Sequence, residues 1–315
     1  MNTYKTQPTL KKKARKMSVL AAGIIAAASM FLPMQRANAC TGAEQIGMAG
    51  AGGEVLADNA HAVYWNAGGL LANLKQPEAT YCHTFKNDGG NLMIRYDNVF
   101  SLATPIGKKG VWGTGAMYID SCRDAYQSAD KEIWNILKIA AGARVYDNKQ
   151  TKAFIGAGIE LSKIKDIKAS TATNYISADL GAVAIRQSAI FEGDELRIGV
   201  LGQSIINVRP SISETIKNFG GKGKLTGALT DYDIFNIKNL REIRLGIRQS
   251  LETKIGKISL EAGTGNRDMM ESSALGVAWE SPKKGSKISC AYMKTKDEKT
   301  QIEGKGILLE FTKGF

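Results

Sequence analysis

Histidine is nearly absent from this chain. Its 315 residues include only His61 and His83, and neither stands at ligand or triad spacing from a second donor or a nucleophile. Ser-His-acid hydrolysis needs such a set, so no catalytic residue, metal ligand or cofactor site is assigned. The 4 cysteines, Cys40, Cys82, Cys122 and Cys290, are too scattered for a zinc motif. An even count permits disulfides in an oxidising compartment, with three possible pairings, none of them singled out. The glycine-rich stretch Gly221 to Gly227 lacks the spacing of a phosphate loop or a dinucleotide fingerprint and reads as a flexible surface loop. Beyond residue 39 there is no run of 18 or more apolar residues, so no spanning helix is expected there.

What is present begins with a targeting pattern. Lys5, Lys11, Lys12, Lys13, Arg15 and Lys16 form a basic region, Val19 to Pro33 is apolar apart from Ser29, and Ala37-Asn38-Ala39 is an A-x-A cleavage site before Cys40. Residues 1–39 therefore read as a cleaved secretion signal. A retained anchor and lipidation of Cys40 are the alternatives; for the second, Ala37 stands where a leucine is usual. This segment, with Arg36, holds seven basic and no acidic side chains, so its removal lowers the net charge from +12 to +5. In the remainder, basic and acidic residues alternate and no nucleic-acid module is recognisable, which argues against nucleic acid as a partner.

From about Glu78 onward the chain alternates with period two, as strands with two different faces require. Ala153, Ile155, Ala157, Ile159 and Leu161 oppose Phe154, Gly156, Gly158 and Glu160; Ile243, Leu245 and Ile247 oppose Glu242, Arg244, Gly246 and Arg248. One face is apolar and the other mixes glycine, serine and charge. A soluble sandwich buries the apolar face, whereas a membrane barrel turns it to lipid. A secretion signal, short turns alternating with longer polar links, and a last strand ending on Phe311 and Phe315 favour the barrel. The short turns are Ile106 to Gly110, Asp147 to Lys152 and Ser281 to Lys287; the long links include Cys122 to Lys131, Lys165 to Asn174, Arg209 to Thr230 and Lys294 to Gln301. Lys138, Arg144, Glu160, Arg197, Glu242, Arg244 and Arg248 fall on the glycine-bearing face. Arg or Lys on the lipid face costs about 2–4 kcal/mol near mid-membrane, so these charges are expected to line the lumen, as a conduit, as a docking surface, or as ion pairs filling a closed barrel. Cys290 shares the apolar face with Ile288 and Tyr292, as a lipid-facing thiol.

The chain is organised around Thr41 to Ala72, with glycines at Gly47, Gly50, Gly52 and Gly53, then Leu56-Ala57-Asp58-Asn59-Ala60, the pair Tyr64-Trp65 and the turn Asn66-Ala67-Gly68-Gly69. This stretch resembles the N-terminal signature of FadL-type outer-membrane proteins, especially the PorV/PorQ branch, in which a "GMGGA"-like piece leads into "LADDASAVYWNPAGLA". The family's Pro-Ala after the asparagine is here Ala67-Gly68. Phe100 to Gly107 is similar to the branch's "SLAYPLG" strand, and Asn239 to Gly246 to its "LPLTFRLG" strand. The resemblance implies an all-β chain: an antiparallel transmembrane β-barrel of 12–14 strands, with residues 40–76 as a lumenal plug and 77–315 as barrel. Roughly 12 strands can be counted, and two more could hide in Pro210 to Lys238. The resemblance also implies an outer-membrane location and, at the terminal aromatics Phe311 and Phe315, a signal for the barrel assembly machinery. One side of the family implies passive uptake of a hydrophobic ligand such as a fatty acid, gated at Tyr64, Trp65 and Asn66 to Gly69. The other implies a barrel that docks secretion-system partners. A secreted β-sandwich adhesin is the alternative from outside the membrane.

Overall fold

Along Glu303–Gly314, exposure switches at every residue. Ile307, Leu309 and Phe311 are about half exposed, while Leu308, Glu310 and Thr312 are buried. This is a strand whose two faces meet different surroundings. The computed structural model describes residues 43, 47–49, 51, 56, 60–72, 74, 76–87, 93–107, 111–125, 131–167, 169–188, 194–203, 207–219, 223–231, 242–267, 270–282, 285–297 and 303–315. The expected secretion signal lies outside them.

The strands are β1 (Glu78–Asn87), β2 (Met93–Ile106), β3 (Trp112–Ala125), β4 (Lys131–Asp147) and β5 (Thr151–Asp166). They continue through β6 (Thr171–Gln187), β7 (Glu195–Gln203), β8 (Asn207–Phe219), β9 (Gly223–Asp231) and β10 (Glu242–Thr253). β11 (Gly256–Arg267), β12 (Met270–Glu280), β13 (Ser286–Asp297) and β14 (Glu303–Gly314) complete the wall. Each strand is antiparallel to its neighbours, and β14 pairs with β1, Glu78 opposite Gly314, so the sheet closes into a barrel without edges. The Phe315 amide donates to the Pro77 carbonyl at 3.0 Å, which places both ends of the sheet on one rim, here the terminal rim.

Fourteen strands form the barrel, the upper end of the expected 12–14. The two strands beyond the 12 counted are the hairpin β8–β9, which overlaps the stretch Pro210 to Lys238 where two more were expected, and Gly223 to Gly227 belongs to a strand and not to a surface loop. Its inward positions are Ser211, Ser213, Thr226 and Thr230, so hydroxyls mask the alternation that aliphatic residues make obvious elsewhere. The expected long links at the far rim are also largely strand. β5 runs to Asp166 and β6 starts at Thr171; β13 runs to Asp297. These strands outlast their apolar stretch, and their polar ends stay paired in the ladder.

The outer face explains where the apolar stretch stops. Ile139, Ile159, Ile198, Leu245, Leu260 and Leu309 are exposed at 44 to 60% on the outside of the wall. On β1, β2 and β3, Tyr81, Phe100 and Tyr118 stand opposite one another in register, with a polar row toward the far rim: Asn98, Asp120, Asn135, Lys163 and Asn174, also register partners. Phe311 on β14 is the register partner of Tyr81 and continues that aromatic row, and exposed Trp112, Tyr146 and Phe315 stand at the terminal rim. An apolar band with outward aromatic side chains along it is the outside of a lipid-embedded barrel. Among the described residues no helix is long and apolar enough to cross a membrane; the strands do so, because a closed sheet satisfies its own backbone. Replacing outward Ile159 by Lys is expected to cost about 2–4 kcal/mol in refolding into liposomes, while Asn174→Lys in the polar row costs about 0–1 kcal/mol.

Candidate functional site

Residues just before β1 pack against the inner face of the wall formed by β3 to β6. Residues 60–71 are buried throughout. They form a single helical turn, α1 (Ala62–Trp65), and a 3-10 helix (Ala67–Leu71), separated by Asn66 in extended conformation (φ −164°, ψ 109°). The Asn66 Oδ1 accepts the Gly68 amide at 2.9 Å, an Asx turn that starts the 3-10 helix, and Nδ2 donates to the carbonyls of Ala182 at 3.2 Å and Val200 at 3.4 Å on the wall. The wall is shaped for this contact. Gly113, Gly142, Gly156 and Gly181 are direct register partners across β3, β4, β5 and β6. A Cβ at Gly142 or Gly156 would overlap the Ala67 backbone, and one at Gly181 would overlap the Asn66 carboxamide. Glycine is used here for close approach of two backbones.

Charge completes this dock. Lys138, 1% exposed, forms an ion pair with Asp179 across β4 and β6, donates to the Tyr64 carbonyl at 3.1 Å, and lies 5.5 Å from the Tyr64 ring centroid. The last carbonyls of so short a helix need outside donors, and the lysine supplies one. Tyr64 meets Trp65 edge to face at 5.6 Å, and both join Val63 and Leu70 in an apolar cluster with Met117, Ile119, Trp134 and Leu308 of the wall. Glu160, the register partner of Lys138, accepts from Ser162 at 3.1 Å.

His61 shows what spacing in sequence could not. Its Nδ1 lies 3.0 Å from Ser101 Oγ and its Nε2 3.5 Å from Glu310 Oε2. Serine, histidine and glutamate thus meet although they stand far apart in sequence, because barrel closure brings β2 and β14 to either side of the histidine. All three are fully enclosed, which makes the trio a tie between segment and wall. Glu310 Oε2 also accepts the Ala43 amide at 2.6 Å, and Glu78 Oε1 accepts the Ala60 amide at 2.8 Å, so the segment bridges the β1–β14 seam. His83 faces outward, 2.9 Å from Asn98 Oδ1.

A second dock lies on the opposite wall. Met48 and Ala51 rest on Gly246, and the Met48 backbone lies against Gly263; these glycines are register partners on β10 and β11, flanked by Ala228 and Ala274. Gly47 approaches Gly276 beside Glu261, whose Oε1 is 2.8 Å from Arg248 Nε. Ala49 holds a left-handed backbone (φ 55°) where the resembling motif has glycine.

Of the expected lumen charges, Lys138, Glu160, Arg197 and Arg248 are buried on the inner side. Arg144 pairs with Asp147 at 2.8 Å and Arg197 with Glu195 at 2.6 Å, both near the terminal rim, and the Arg244 stem packs on Gly265. Gly50, Gly52, Asp58, Asn59 and the Glu242 side chain lie outside the described residues. Gly47, Tyr64, Trp65, Asn66, Gly68 and Gly69 are at the docks, and Phe311 and Phe315 are on the outer face. Sequence reading missed Asp179, Glu310, Ser101 and Glu78, which become partners only through closure. The glycine row left a usable signal, since glycine recurs on the polar face of successive strands. Cys290 stands between exposed Ile288 and Tyr292 on β13.

Lys138→Met leaves Asp179 enclosed without its cation and is expected to cost about 3–5 kcal/mol, with most of the loss recovered in Lys138→Met/Asp179→Leu, as read by unfolding midpoints. Ala49→Gly relieves a left-handed alanine and is expected to gain about 1 kcal/mol in the same measurement.

No family model and no curated protein matches the chain. Solved structures do. A Pseudomonas aeruginosa FadL homologue superposes with a TM-score of 0.55 at 12% identity, covering 87% of this chain and 98% of that one. The P. putida toluene transporter TodX gives 0.61 at 7% identity, with the same coverage. A deltaS2 mutant of TodX, a monoaromatic hydrocarbon channel, gives 0.56 at 7% identity, again covering 87% and 98%. The chain therefore has the fold of FadL- and TodX-type outer-membrane barrels.

Proposed function

We propose that this protein is a passive small-molecule channel of the outer membrane, closed at rest by its own N-terminal segment, and that it is a FadL-like protein. The order of its sequence motifs supports the PorV/PorQ branch. The observation that carries the channel reading is the docking of residues 60–74 on the inner face of a closed barrel whose outer face is an apolar band. A barrel built only as a scaffold could fill its lumen with wall side chains. Here four register-paired glycines instead leave room for a separate segment. The solved neighbours with this fold include a toluene transporter and a hydrocarbon channel, which supports transport as the class of activity. In this reading Phe311 and Phe315 present the last strand to the barrel assembly machinery.

Cell fractionation and liposome flux test it together. The protein is expected in the outer membrane, with a band that shifts on boiling. Purified into liposomes, it should pass small solutes slowly, and deletion of residues 43–74 should raise the flux while the band still shifts. Recovery as a soluble, unshifted protein, or a folded deletion variant with no flux, overturns the reading.

A further inference from the structure

Charge is unevenly spread over the outer face near the far rim. On β2 to β6 the polar row Asn98, Asp120, Asn135, Lys163 and Asn174 holds one acid and one base among amides, and Asn135 Nδ2 donates to Asp120 Oδ1 at 3.0 Å. On β13 and β14 three lysines, Lys294, Lys296 and Lys305, share the outer face. Lys294 and Lys305 are register partners. Among the described residues this is the one place on the outer face where two lysines stand directly opposite on neighbouring strands. Such a pair costs stability unless an anion screens it.

Two carboxylates answer part of that charge. Glu303 Oε1 lies 2.6 Å from Lys294 Nζ, and Lys296 has Glu271 and Glu303 as its register partners. Lys305 has Lys294 and Asn87 as its own, so the excess cation sits there. Toward the terminal rim the next outward row is apolar throughout: Ile247, Ala262, Leu275, Tyr292 and Ile307. A groove of about 420 Å³ opens beside the lysines, with Lys294 and Lys296 at one side and Ile243 and Leu245 at the other. Ammonium groups therefore stand where the lipid-facing surface ends, with exposed Leu275, Tyr292 and Ile307 directly beneath them.

We propose that this patch binds an anionic membrane lipid: Lys294, Lys296 and Lys305 surround its headgroup phosphate, and its acyl chains lie along Leu275, Tyr292 and Ile307. A phosphodiester carries one negative charge, which matches the one lysine in excess, and ammonium groups hold phosphate as point charges. Basic clusters at a membrane surface attract anionic headgroups in this way. A zwitterionic lipid brings its own cation to the opposed lysines and gains less. The inference rests on the lipid-embedded wall and not on the channel reading, so a barrel that passes no solute leaves it intact.

Native mass spectrometry of the detergent-purified full chain, titrated with dioleoyl phosphatidylglycerol or dioleoyl phosphatidylcholine, tests it, with the heat-shifted band as the check on folding. Phosphatidylglycerol is expected to bind more tightly than phosphatidylcholine. Lys305→Gln and, separately, Lys296→Gln should each weaken it about fivefold. Lys163→Gln/Lys165→Gln, on β5 and away from the patch, should leave it unchanged. Lys305→Gln also removes the opposed charge, so without anionic lipid its unfolding midpoint should match or exceed that of the wild type, while phosphatidylglycerol raises the wild-type midpoint more. Equal affinity for the two lipids, or equal weakening by the β5 variant, overturns the site. Inorganic phosphate that displaces phosphatidylglycerol where chloride of equal ionic strength does not would make this a free-anion site and overturn the lipid assignment.

Discussion

A lipid-facing wall tolerates almost no charge, and that constraint organises the molecule. In a closed sheet every residue points either to lipid or to the lumen, so each polar side chain at membrane depth has one place to go. The lumen of this barrel therefore gathers lysine, arginine, aspartate, glutamate and a large share of the serines and threonines. Enclosed charge in turn needs partners. Lys138 finds Asp179, Arg248 finds Glu261, and Glu310 is shared between His61 and the Ala43 amide.

Those pairs do more than neutralise one another, because the N-terminal segment is threaded among them. Its exposed backbone groups are met by wall side chains: the Tyr64 carbonyl by Lys138, the Ala60 amide by Glu78, the Ala43 amide by Glu310. The wall receives the segment where it has no side chains at all, at the glycine row of β3 to β6 and at the glycine pair of β10 and β11. Each dock combines close backbone contact with a buried ion pair in the wall, Lys138 with Asp179 at one and Arg248 with Glu261 at the other.

The sequence was readable where outward residues are aliphatic. In β5, β10 and β14, runs such as Ile159-Leu161, Ile243-Leu245-Ile247 and Ile307-Leu309-Phe311 mark alternate positions, and their assignment needs no partner. It was unreadable where the inward set is hydroxyl-rich and the outward set is sparse, as in β8 and β9, and where strands continue past the membrane on polar residues, as at Lys165 and Thr171. The docks show the same division. The Asn66 turn and the glycines around it are local signals of tight geometry. Asp179, Ser101 and Glu310 carry no local mark, and each acquires its partner only when distant strands are brought alongside.

The sequence by itself determined an all-β chain of two-faced strands, and the secretion signal, the rhythm of turns and links and the terminal aromatics favoured a barrel over a sandwich, since the alternation alone fits both. It also determined which face each charge takes, since pleating assigns alternate residues to opposite sides. Tertiary structure alone decided the number of strands, which charges pair and where the segment rests. These depend on register and closure, and closure joins β1 to β14 across nearly the whole length of the barrel sequence. No local propensity encodes that seam, yet His61, Ala43, Ala60 and Glu310 all meet at it.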